Sequence, residues 1–224
     1  MSAVVVTGAN RGLGLELVRR YAASGARVIA ACRSLPDHPS KVADGNIRWL
    51  PLDLADADAI AAFPAALGAL PVEVVIHNAA IRGATGGLGD LNTDDFTRVM
   101  RVNALGPLLL TRALLPNLMA GHQRTVAMIS SRAGSMAEGL DPDGDYAYRQ
   151  SKAALNMGAR KLAFDHPDLK VLLLHPGWIR TDMGGPDAEI DAAKAARGLI
   201  ERISEADHSA SGSFQTWDGH PIAW

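Results

Sequence analysis

Residues 3–14 read Ala-Val-Val-Val-Thr-Gly-Ala-Asn-Arg-Gly-Leu-Gly, and this stretch decides the fold. The first part predicts a strand, and the amphipathic residues that follow predict a helix. Glycines at 8, 12 and 14 let the backbone approach a pyrophosphate, and the helix start offers unpaired N–H groups and a positive dipole end. The alternative is a plain turn that uses glycine for its positive φ. We favour phosphate binding, and because no Gly-Lys-Ser/Thr follows, a P-loop for ATP or GTP is disfavoured.

Working outward, short β-branched stretches alternate with longer Ala- and Leu-rich stretches, which is typical of βαβ units. Strands are predicted over residues 3–7, 26–32, 47–50, 72–77, 124–130, 170–175 and 212–216. Helices are predicted over residues 12–24, 56–67, 93–120, 146–166 and 188–206. Right-handed crossovers then give a Rossmann-type, doubly wound parallel sheet of seven strands in a three-layer α/β/α arrangement. We expect one α/β domain over residues 1–224.

Composition excludes several classes of protein. The chain has 224 residues and is 48% hydrophobic, which suits one folded domain, and its net charge of −2 lacks the basic surplus of nucleic-acid binding. No leader and no apolar run of about 18–20 residues is visible, so neither export nor a membrane span is expected. Cys32 is the single cysteine, and no Cys/His cluster has zinc spacing. We expect no metal site and a reducing, cytoplasmic location.

Tyr148 and Lys152 are four residues apart in a predicted helix, so their side chains rise from one face. A nearby ammonium favours the phenolate and brings the tyrosine pKa down from about 10 toward the working range. Tyr146 also lies near the helix start, but Gln150, not lysine, follows it by four residues. Alone, such a pair is usually an ordinary helix surface. After a glycine loop, it is a candidate catalytic pair.

Thr-Gly-x-x-x-Gly-x-Gly is the opening of the short-chain dehydrogenase/reductase family, and the chain resembles that family over nearly its whole length. Further motifs follow in family order: Asp53-Leu54, Asn78-Ala79, Asn103 with Ala104-Leu105-Gly106, Ser130-Ser131, Tyr148 to Lys152, and His175-Pro176-Gly177 to Asp182. Residues 148–156, 175–185 and 212–224 resemble the C-factor and sniffer group of carbonyl reductases. The resemblance implies an oxidoreductase that acts on carbonyl and alcohol groups.

The resemblance also implies roles for individual residues. Hydride would pass from a reduced nicotinamide to a carbonyl carbon, and Tyr148 would protonate the oxygen. Lys152 would tune Tyr148 and hold the ribose hydroxyls, and Asn103 would keep a water in the proton path. Ser131, rather than Ser130, matches the serine that orients the substrate. The implied cofactor-binding residues are Thr7, Gly8, Asn10, Arg11, Gly12, Leu13, Gly14, Arg33, Asp53, Leu54, Asn78, Ala79, Ala80, Tyr148, Lys152, Pro176, Gly177, Trp178, Ile179 and Thr181.

The end of the second strand indicates which nicotinamide cofactor is bound. An acid there would accept from the ribose 2′-hydroxyl, whereas a base would hold a 2′-phosphate. This strand ends Ala30-Ala31-Cys32-Arg33, without an acid, and Arg11 in the glycine loop is a second base. We therefore predict NADP(H) over NAD(H), the alternative being that both arginines are solvated surface charges.

Three features concern the surroundings of the cofactor and the substrate. His77-Asn78-Ala79-Ala80 stands where the family usually has Asn-Asn-Ala-Gly, so the extra methyl of Ala80 is expected to crowd backbone that normally lies close to the cofactor and to affect cofactor affinity. Seventeen positions separate Ser131 from Tyr148, and the extra residues, 138–145, are expected to form a solvated loop at the rim. The lid at residues 182–190 is short, which implies an open pocket with Trp178, Met183 and Met136 as candidate apolar walls.

Two function hypotheses follow. The first is an NADPH-dependent reductase of an aldehyde, ketone or quinone, and the alternative is a cofactor-binding signalling protein of the C-factor type in which turnover is secondary. The long helices at 93–120 and 146–166 carry more apolar residues than one sheet-facing stripe requires. This predicts a homodimer or homotetramer, although a compact monomer also tolerates such helices.

Overall fold

Seven parallel strands form one sheet in the computed structural model, which describes residues 2–36, 45–138 and 145–224. The strands are β1 Ala3–Thr7, β2 Arg27–Cys32, β3 Ile47–Pro51, β4 Val72–His77, β5 Thr125–Ile129, β6 Lys170–His175 and β7 Phe214–Thr216. Their order is β3-β2-β1-β4-β5-β6-β7, and every pairing is parallel. The predicted Rossmann-type doubly wound sheet is confirmed.

Helices cover both faces of this sheet, which explains why its strands read as continuous apolar runs. The helices are α1 Gly12–Ala23, α2 Ala57–Leu67, α3 Thr93–Met100, α4 Gly106–Ala120, α5 Tyr146–Asp165 and α6 Ala192–Glu205. Val4 and Val6 of β1 pack in the core beneath α1 and α6, whereas Val5 packs in the opposite core with residues of α2, α4 and α5. Successive strand residues point to opposite faces, so β1 must be apolar throughout, as all five of its buried residues are apolar or threonine.

The winding of the sheet reverses at β1, which pairs with β2 on one side and with β4 on the other. In open α/β sheets, ligands bind beyond the carboxyl ends of the strands at such a switch point. Thr7 and His77 end β1 and β4 at this edge. The fold therefore directs the glycine loop and the turn after β4 into one crevice.

The predicted helix over residues 93–120 is continuous but changes its winding. A π-helical segment, Arg101–Leu105, joins α3 to α4. Pro107 has no N–H to donate to Asn103 four residues earlier, so a regular α-helical pattern cannot run through this point. The wider turn carries Asn103 into the interior, where the residue is 1% exposed.

Two predicted loops extend beyond the described residues. Residues 37–44, after β2, and residues 139–144, before α5, lie outside them, and the expectation of a solvated rim loop concerns mainly the second segment. In the part of the chain that is described, no helix combines the length and apolarity needed to cross a bilayer.

Candidate active site

A cleft of about 640 Å³ opens at the carboxyl ends of the strands. Its volume falls within the range of about 300–1,000 Å³ that is usual for small-molecule sites. The predicted cofactor-binding residues that line it are Thr7, Gly8, Asn10, Arg11, Gly12, Leu13, Gly14, Arg33, Asp53, Leu54, Asn78, Ala79, Ala80, Tyr148, Lys152, Pro176, Ile179 and Thr181. Gly177 and Trp178 do not line it. Ile81, Val102 and Met183 do, and sequence reasoning did not assign them to cofactor binding.

The glycines of the loop are required by close packing. A Cβ on Gly14 would lie 2.1 Å from the carbonyl oxygen of Gly8, and one on Gly8, which has φ +64°, would lie 2.8 Å from the Cα of Ala79. Arg11 precedes α1 in an extended conformation, and its side chain caps no N–H of the helix. The start of α1 therefore presents N–H groups to the cleft without a side-chain acceptor.

Asn78 and Thr7 join the ends of β4 and β1. The Asn78 amide donates to the carbonyl oxygens of Thr7 at 2.9 Å and Gly8 at 3.2 Å. The Thr7 hydroxyl in turn accepts from the backbone N–H groups of Asn78 and Ala79, both at 3.1 Å. These bonds fix the glycine loop relative to the turn after β4, which gives the Asn-Ala motif a structural reason in this chain.

At the far end of the cleft, the residues after β2 carry a base and no acid. Arg33 is exposed and lines the cleft, and residues 31–34 contain no carboxylate. The Asn10 amide holds this segment by donating to the carbonyl oxygen of Ser34 at 3.0 Å. Asp53, after β3, accepts from the N–H of Ala55 at 2.9 Å. This arrangement leaves Arg33 as a cation at the position where a 2′-phosphate is expected.

Tyr148 and Lys152 lie on α5 at the opposite end of the cleft. The Lys152 ammonium lies 5.6 Å from the centroid of the Tyr148 ring and donates to the carbonyl oxygen of Ile129 at 2.8 Å. Burial lowers the pKa of Lys152 to about 8. Both side chains lie in a low-dielectric environment, where charges act strongly on one another.

The expected effect of Lys152 on Tyr148 is not what the structure gives. Burial raises the pKa of the Tyr148 phenol above its ordinary value of 10.0, because desolvation outweighs every other influence. The Ser131 hydroxyl lowers this pKa by hydrogen bonding, the Arg82 charge lowers it, and Asp145 raises it. The prediction of a lysine-lowered pKa was therefore wrong for the protein alone, and the phenol retains its proton at neutral pH.

The two adjacent serines point in different directions. Ser130 is 2% exposed, and its hydroxyl donates to the side-chain oxygen of Asn156 at 2.5 Å. Ser131 begins a short 3-10 helix, Arg132–Gly134, accepts from the N–H of Ala133 at 3.2 Å and interacts with the Tyr148 phenol. Of the two, Ser131 is thus the one beside Tyr148.

Asn103 lies behind the cleft and does not line it. Its amide bonds both backbone groups of Ile81, accepting from the N–H at 2.9 Å and donating to the carbonyl at 2.8 Å. It also donates to the Ser151 hydroxyl at 3.0 Å, and that hydroxyl donates to the carbonyl oxygen of Tyr148 at 2.7 Å. The Asn103 side chain therefore supports the backbone around Tyr148.

Residues 2–191 match the model of the short chain dehydrogenase family. The chain belongs to the short-chain dehydrogenase/reductase family. It is an oxidoreductase of that family.

Relatives of this short-chain dehydrogenase agree with the predicted subgroup. It is 46% identical over 156 residues to the C-signal of Myxococcus xanthus, covering 69% of this chain and 93% of that protein. The carbonyl reductase Sniffer of D. melanogaster superimposes with a TM-score of 0.89 at 29% identity, covering 100% of both chains. An NADPH-bound carbonyl reductase from chicken fatty liver has a TM-score of 0.89 at 31% identity, covering 100% of this chain and 99% of the other. The resemblance to the C-factor and sniffer group is confirmed.

The lid of the dehydrogenase is folded on itself. Trp178 is 52% exposed, and its indole N–H donates to the carbonyl oxygen of Gly184 at 2.7 Å. The N–H of Arg180 bonds the carbonyl of Ile190 at 2.9 Å, which ties the two ends of the segment together. Asp182 at its start pairs with Arg11 of the glycine loop. The Trp178 indole thus bonds within this segment, and the predicted contact of Trp178 with the cofactor stays a prediction.

A further pair, which the sequence patterns did not indicate, lies beside Tyr148. The Arg82 guanidinium bonds both carboxylate oxygens of Asp145, at 3.1 and 2.7 Å. Asp145 is buried and immediately precedes α5. The two residues are 63 positions apart, so no local spacing signals the contact; only the charge of Asp145 at a helix start was visible in the sequence.

The described residues contain neither a metal-binding cluster nor a thiol with a lowered pKa. Residues 2–36, 45–138 and 145–224 hold no group of three or more His, Cys, Asp or Glu side chains placed to bind a metal ion. Cys32 is buried in the cleft wall, and burial raises the pKa of its thiol. The thiol is thus protonated at neutral pH and acts as a packing group.

Proposed function

We propose that this chain is an NADPH-dependent carbonyl reductase in which Tyr148 is the general acid. The observation that carries the proposal is that Tyr148 and Lys152 line one end of a cleft whose other end is glycine-lined and basic, and that the Ser131 hydroxyl bonds the Tyr148 phenol. A proton donor, a cation and a hydroxyl donor beside a nucleotide-sized cleft are the groups that carbonyl reduction requires.

The cleft fits a dinucleotide on its own geometry. Side chains on Gly8 or Gly14 would collide with backbone, and the N–H groups at the start of α1 have no side-chain acceptor, so the surface is suited to a pyrophosphate. Thr7, Asn78 and Ala79 would hold the adjoining part of the cofactor, and Pro176, Ile179 and Thr181 the nicotinamide end. When bound, the cofactor supplies the hydride.

Tyr148 is suited to give a proton in the reducing direction. Burial raises the pKa of its phenol, so the group is protonated at the pH of the cell and can protonate the substrate oxygen. Ser131 would donate to the same oxygen and orient the carbonyl. Lys152, whose pKa burial lowers to about 8, would hold the ribose hydroxyls, and Asn103 would support the proton path behind it.

The preference for NADP(H) rests on Arg33. Its guanidinium borders the cleft, no acid lies near it in residues 31–34, and the similar chicken carbonyl reductase holds NADPH. Arg33→Ala is expected to weaken NADPH binding about tenfold or more and to leave NADH binding unchanged, since a charge-assisted contact contributes about 1.5–3 kcal/mol. Equal losses for both cofactors, measured by fluorescence titration, would contradict the assignment. Arg27→Ala is the matched control, because Arg27 is an exposed arginine at the other end of β2 and does not line the cleft.

The substrate side favours small apolar carbonyl compounds. Met183 lines the cleft and is exposed, Met136 and Trp178 are exposed candidate walls, and the proposed lid over residues 182–190 is short. NADPH oxidation should be screened with a panel of aldehydes, ketones and quinones. We expect turnover with at least one class, and no oxidation above that of Tyr148→Phe with any of them would contradict the proposed function.

A signalling role is the second candidate, favoured by the 46% identity to the C-signal. The two candidates differ in what Tyr148→Phe does. A regulatory protein that needs only the bound cofactor would keep its biological effect in this variant, whereas a reductase would lose it. The intact Ser131, Tyr148 and Lys152 favour the reductase.

Assembly into a homodimer or homotetramer is supported by exposed apolar side chains around α4 and α5. Leu105 is 48% exposed, Met157 71% and Phe164 82%. Water-exposed side chains of this size on neighbouring helices suit an isologous contact between copies. Light scattering at micromolar concentration should give a mass above one chain, and a single species at the 23.6 kDa of one chain would refute the interface.

A further inference from the structure

The contact between Arg82 and Asp145 is a bidentate ion pair near Tyr148. Both nitrogens Nε and Nη2 of Arg82 donate to the carboxylate, at 2.7–3.2 Å. The Asp145 side chain is 9% exposed and that of Arg82 41% exposed. Bidentate geometry restricts the relative orientation of the two residues more tightly than a point contact would.

Asp145 also has a backbone conformation that needs support. Its φ is +54°, in the left-handed region that non-glycine residues seldom adopt. It occupies the position before α5, yet its carboxylate caps no N–H of the helix. The carboxylate instead accepts hydrogen bonds from Arg82. This ion pair fixes the start of α5, three residues before Tyr148.

A second set of bonds reaches Tyr148 from the same segment. Arg82 follows Ile81, whose backbone is held on both sides by the Asn103 amide. Asn103 continues through the Ser151 hydroxyl to the carbonyl oxygen of Tyr148. The segment after β4 is thus bonded to α5 on both sides of Tyr148. Arg82 bonds Asp145 before it, and Asn103, which bonds Ile81, also bonds Ser151 after it.

We propose that Arg82 and Asp145 are positioning residues for carbonyl reduction: the pair fixes the first turn of α5, and its two charges balance each other beside the Tyr148 phenol. The proposal rests on the proposed function, in which Tyr148 is the proton donor. Neither residue needs to touch the substrate in this role.

The charges around Tyr148 make the two halves of the pair distinguishable. Arg82 favours the phenolate, and Asp145 opposes it. Lys152 lies one turn further on, with its ammonium donating to Ile129, and Ser131 contributes an uncharged hydroxyl. Two further charged groups on packed elements have partners of their own: Arg132 lies 3.7 Å from Glu138, and Asp95 of α3 accepts from the N–H of Ala84.

The test compares Arg82→Met, Asp145→Asn and the double variant in two measurements. The first is kcat for NADPH-dependent reduction, and the second is titration of the Tyr148 phenol followed by NMR with tyrosine labelled at the ring Cζ. Tyr148→Phe assigns the signal among the chain's 3 tyrosines. Asp165→Asn is the matched control, because Asp165 pairs with Lys161 at the far end of α5.

We expect opposite shifts from the two single variants. Asp145→Asn removes the negative charge that opposes the phenolate and should lower the pKa of Tyr148, whereas Arg82→Met should raise it, and the double variant should return toward the wild type. All three should lose about tenfold or more in kcat through misplacement of Tyr148, with the KM for NADPH unchanged. The control should change neither quantity.

Asp145→Gly guards against a folding failure. Glycine adopts φ +54° without strain, so this variant should fold while lacking the carboxylate, and it should repeat the kcat loss and the lowered pKa. Equal shifts in both single variants, no shift, or undiminished kcat would overturn the proposal. The titration needs no turnover, so absence of activity in the wild type would refute the proposed function while the shifts still test the pair.

Discussion

Two helices that border the cleft, α1 and α5, begin differently from α2, α3 and α6. The carboxylates or amides of Asp56, Asn92 and Asp191 cap α2, α3 and α6 by accepting backbone N–H groups. Arg11 and Asp145, which precede α1 and α5, make no such bond. A missing cap costs about 0.5–2 kcal/mol, so both starts forgo a stabilising contact that the sequence supplies elsewhere.

The starts of α1 and α5 lack this capping hydrogen bond for different structural reasons. At α1, glycines bring bare backbone to the cleft and leave N–H groups facing it. At α5, the side chain that would cap the helix is used by Arg82, and the helix start carries Tyr148. The first start is suited to hold an anion and the second to hold a proton donor. Binding and chemistry should therefore be separable by mutation.

The largest effect should come from Tyr148→Phe at the α5 start. Removal of the phenolic oxygen should lower kcat about 10²- to 10⁴-fold, the usual contribution of general acid catalysis. NADPH affinity should remain within about twofold, because the ring still fills its place. Tyr146→Phe, two residues earlier and 38% exposed, is the control and should behave as the wild type. Full turnover in Tyr148→Phe would show that the start of α5 does not supply the proton donor.

The reverse behaviour is expected of Gly14→Ala at the α1 start. Its Cβ would lie 2.1 Å from the Gly8 carbonyl oxygen, so the loop must move, at a cost of about 1–3 kcal/mol in stability. NADPH binding should weaken at least about tenfold, since 1.4 kcal/mol corresponds to that factor. Gly89→Ala is the control, because a Cβ there meets nothing within 4 Å. Unchanged affinity in calorimetric titration would show that the loop backbone does not contact the cofactor.

The histidines that end β4 and β6 extend the comparison to pH. Burial lowers the pKa of His77 to about 3, and burial with nearby Arg132 and Lys152 lowers that of His175 to about 4. Both are neutral when folded, and the unfolded chain takes up protons below pH 6.5, so stability is full above that pH and falls as the pH decreases toward the folded values. Each contributes a slope of up to about 1.4 kcal/mol per pH unit.

Urea unfolding at pH 7.5, 6.5 and 5.5 measures this slope. His77→Asn should remove the part that His77 contributes, and Lys152→Met should raise the pKa of His175 without affecting His77. An identical slope in wild type and His77→Asn would contradict the assignment to burial. His77 would then make no measurable contribution to the pH dependence of the free energy of unfolding.

The smallest effect is expected at a capped helix. Asp191→Ala removes the acceptor for the N–H of Lys194, at 2.6 Å, and should lower the free energy of unfolding by about 1 kcal/mol. NADPH affinity and kcat should not change, because α6 starts away from the catalytic pair. A loss of activity at unchanged stability would show that the capped start of α6 contributes to function and not only to stability.

Much of this could be predicted from local sequence. The strand, glycine loop and helix of residues 3–23 are specified by neighbours in the chain, and six of the seven strands begin and end within one residue of the prediction on both sides. Tyr148 and Lys152 needed only helical spacing. These features depend on period, turn chemistry and the position of a motif after a strand.

The remainder depends on contacts between distant residues. The Arg82–Asp145 pair spans 63 positions and the Asn103–Ser151 bond 48, and neither leaves a periodic signal. The pKa of Tyr148 was wrongly predicted because burial, a property of the whole fold, outweighs the charge of a neighbour on the same helix. The Trp178 indole likewise bonds the carbonyl oxygen of Gly184, a contact that no motif in the sequence indicates.

The most direct test of the central claim, that this cleft transfers hydride to a carbonyl carbon beside Tyr148, is a label-transfer measurement. NADPH carrying deuterium at both C4 positions is incubated with the aldehydes and ketones of the panel, and each alcohol product is analysed by mass spectrometry. We predict one deuterium per product molecule, on the carbinol carbon, and none with Tyr148→Phe above the uncatalysed background. Alcohol product without deuterium, or no product from any compound, would contradict the account.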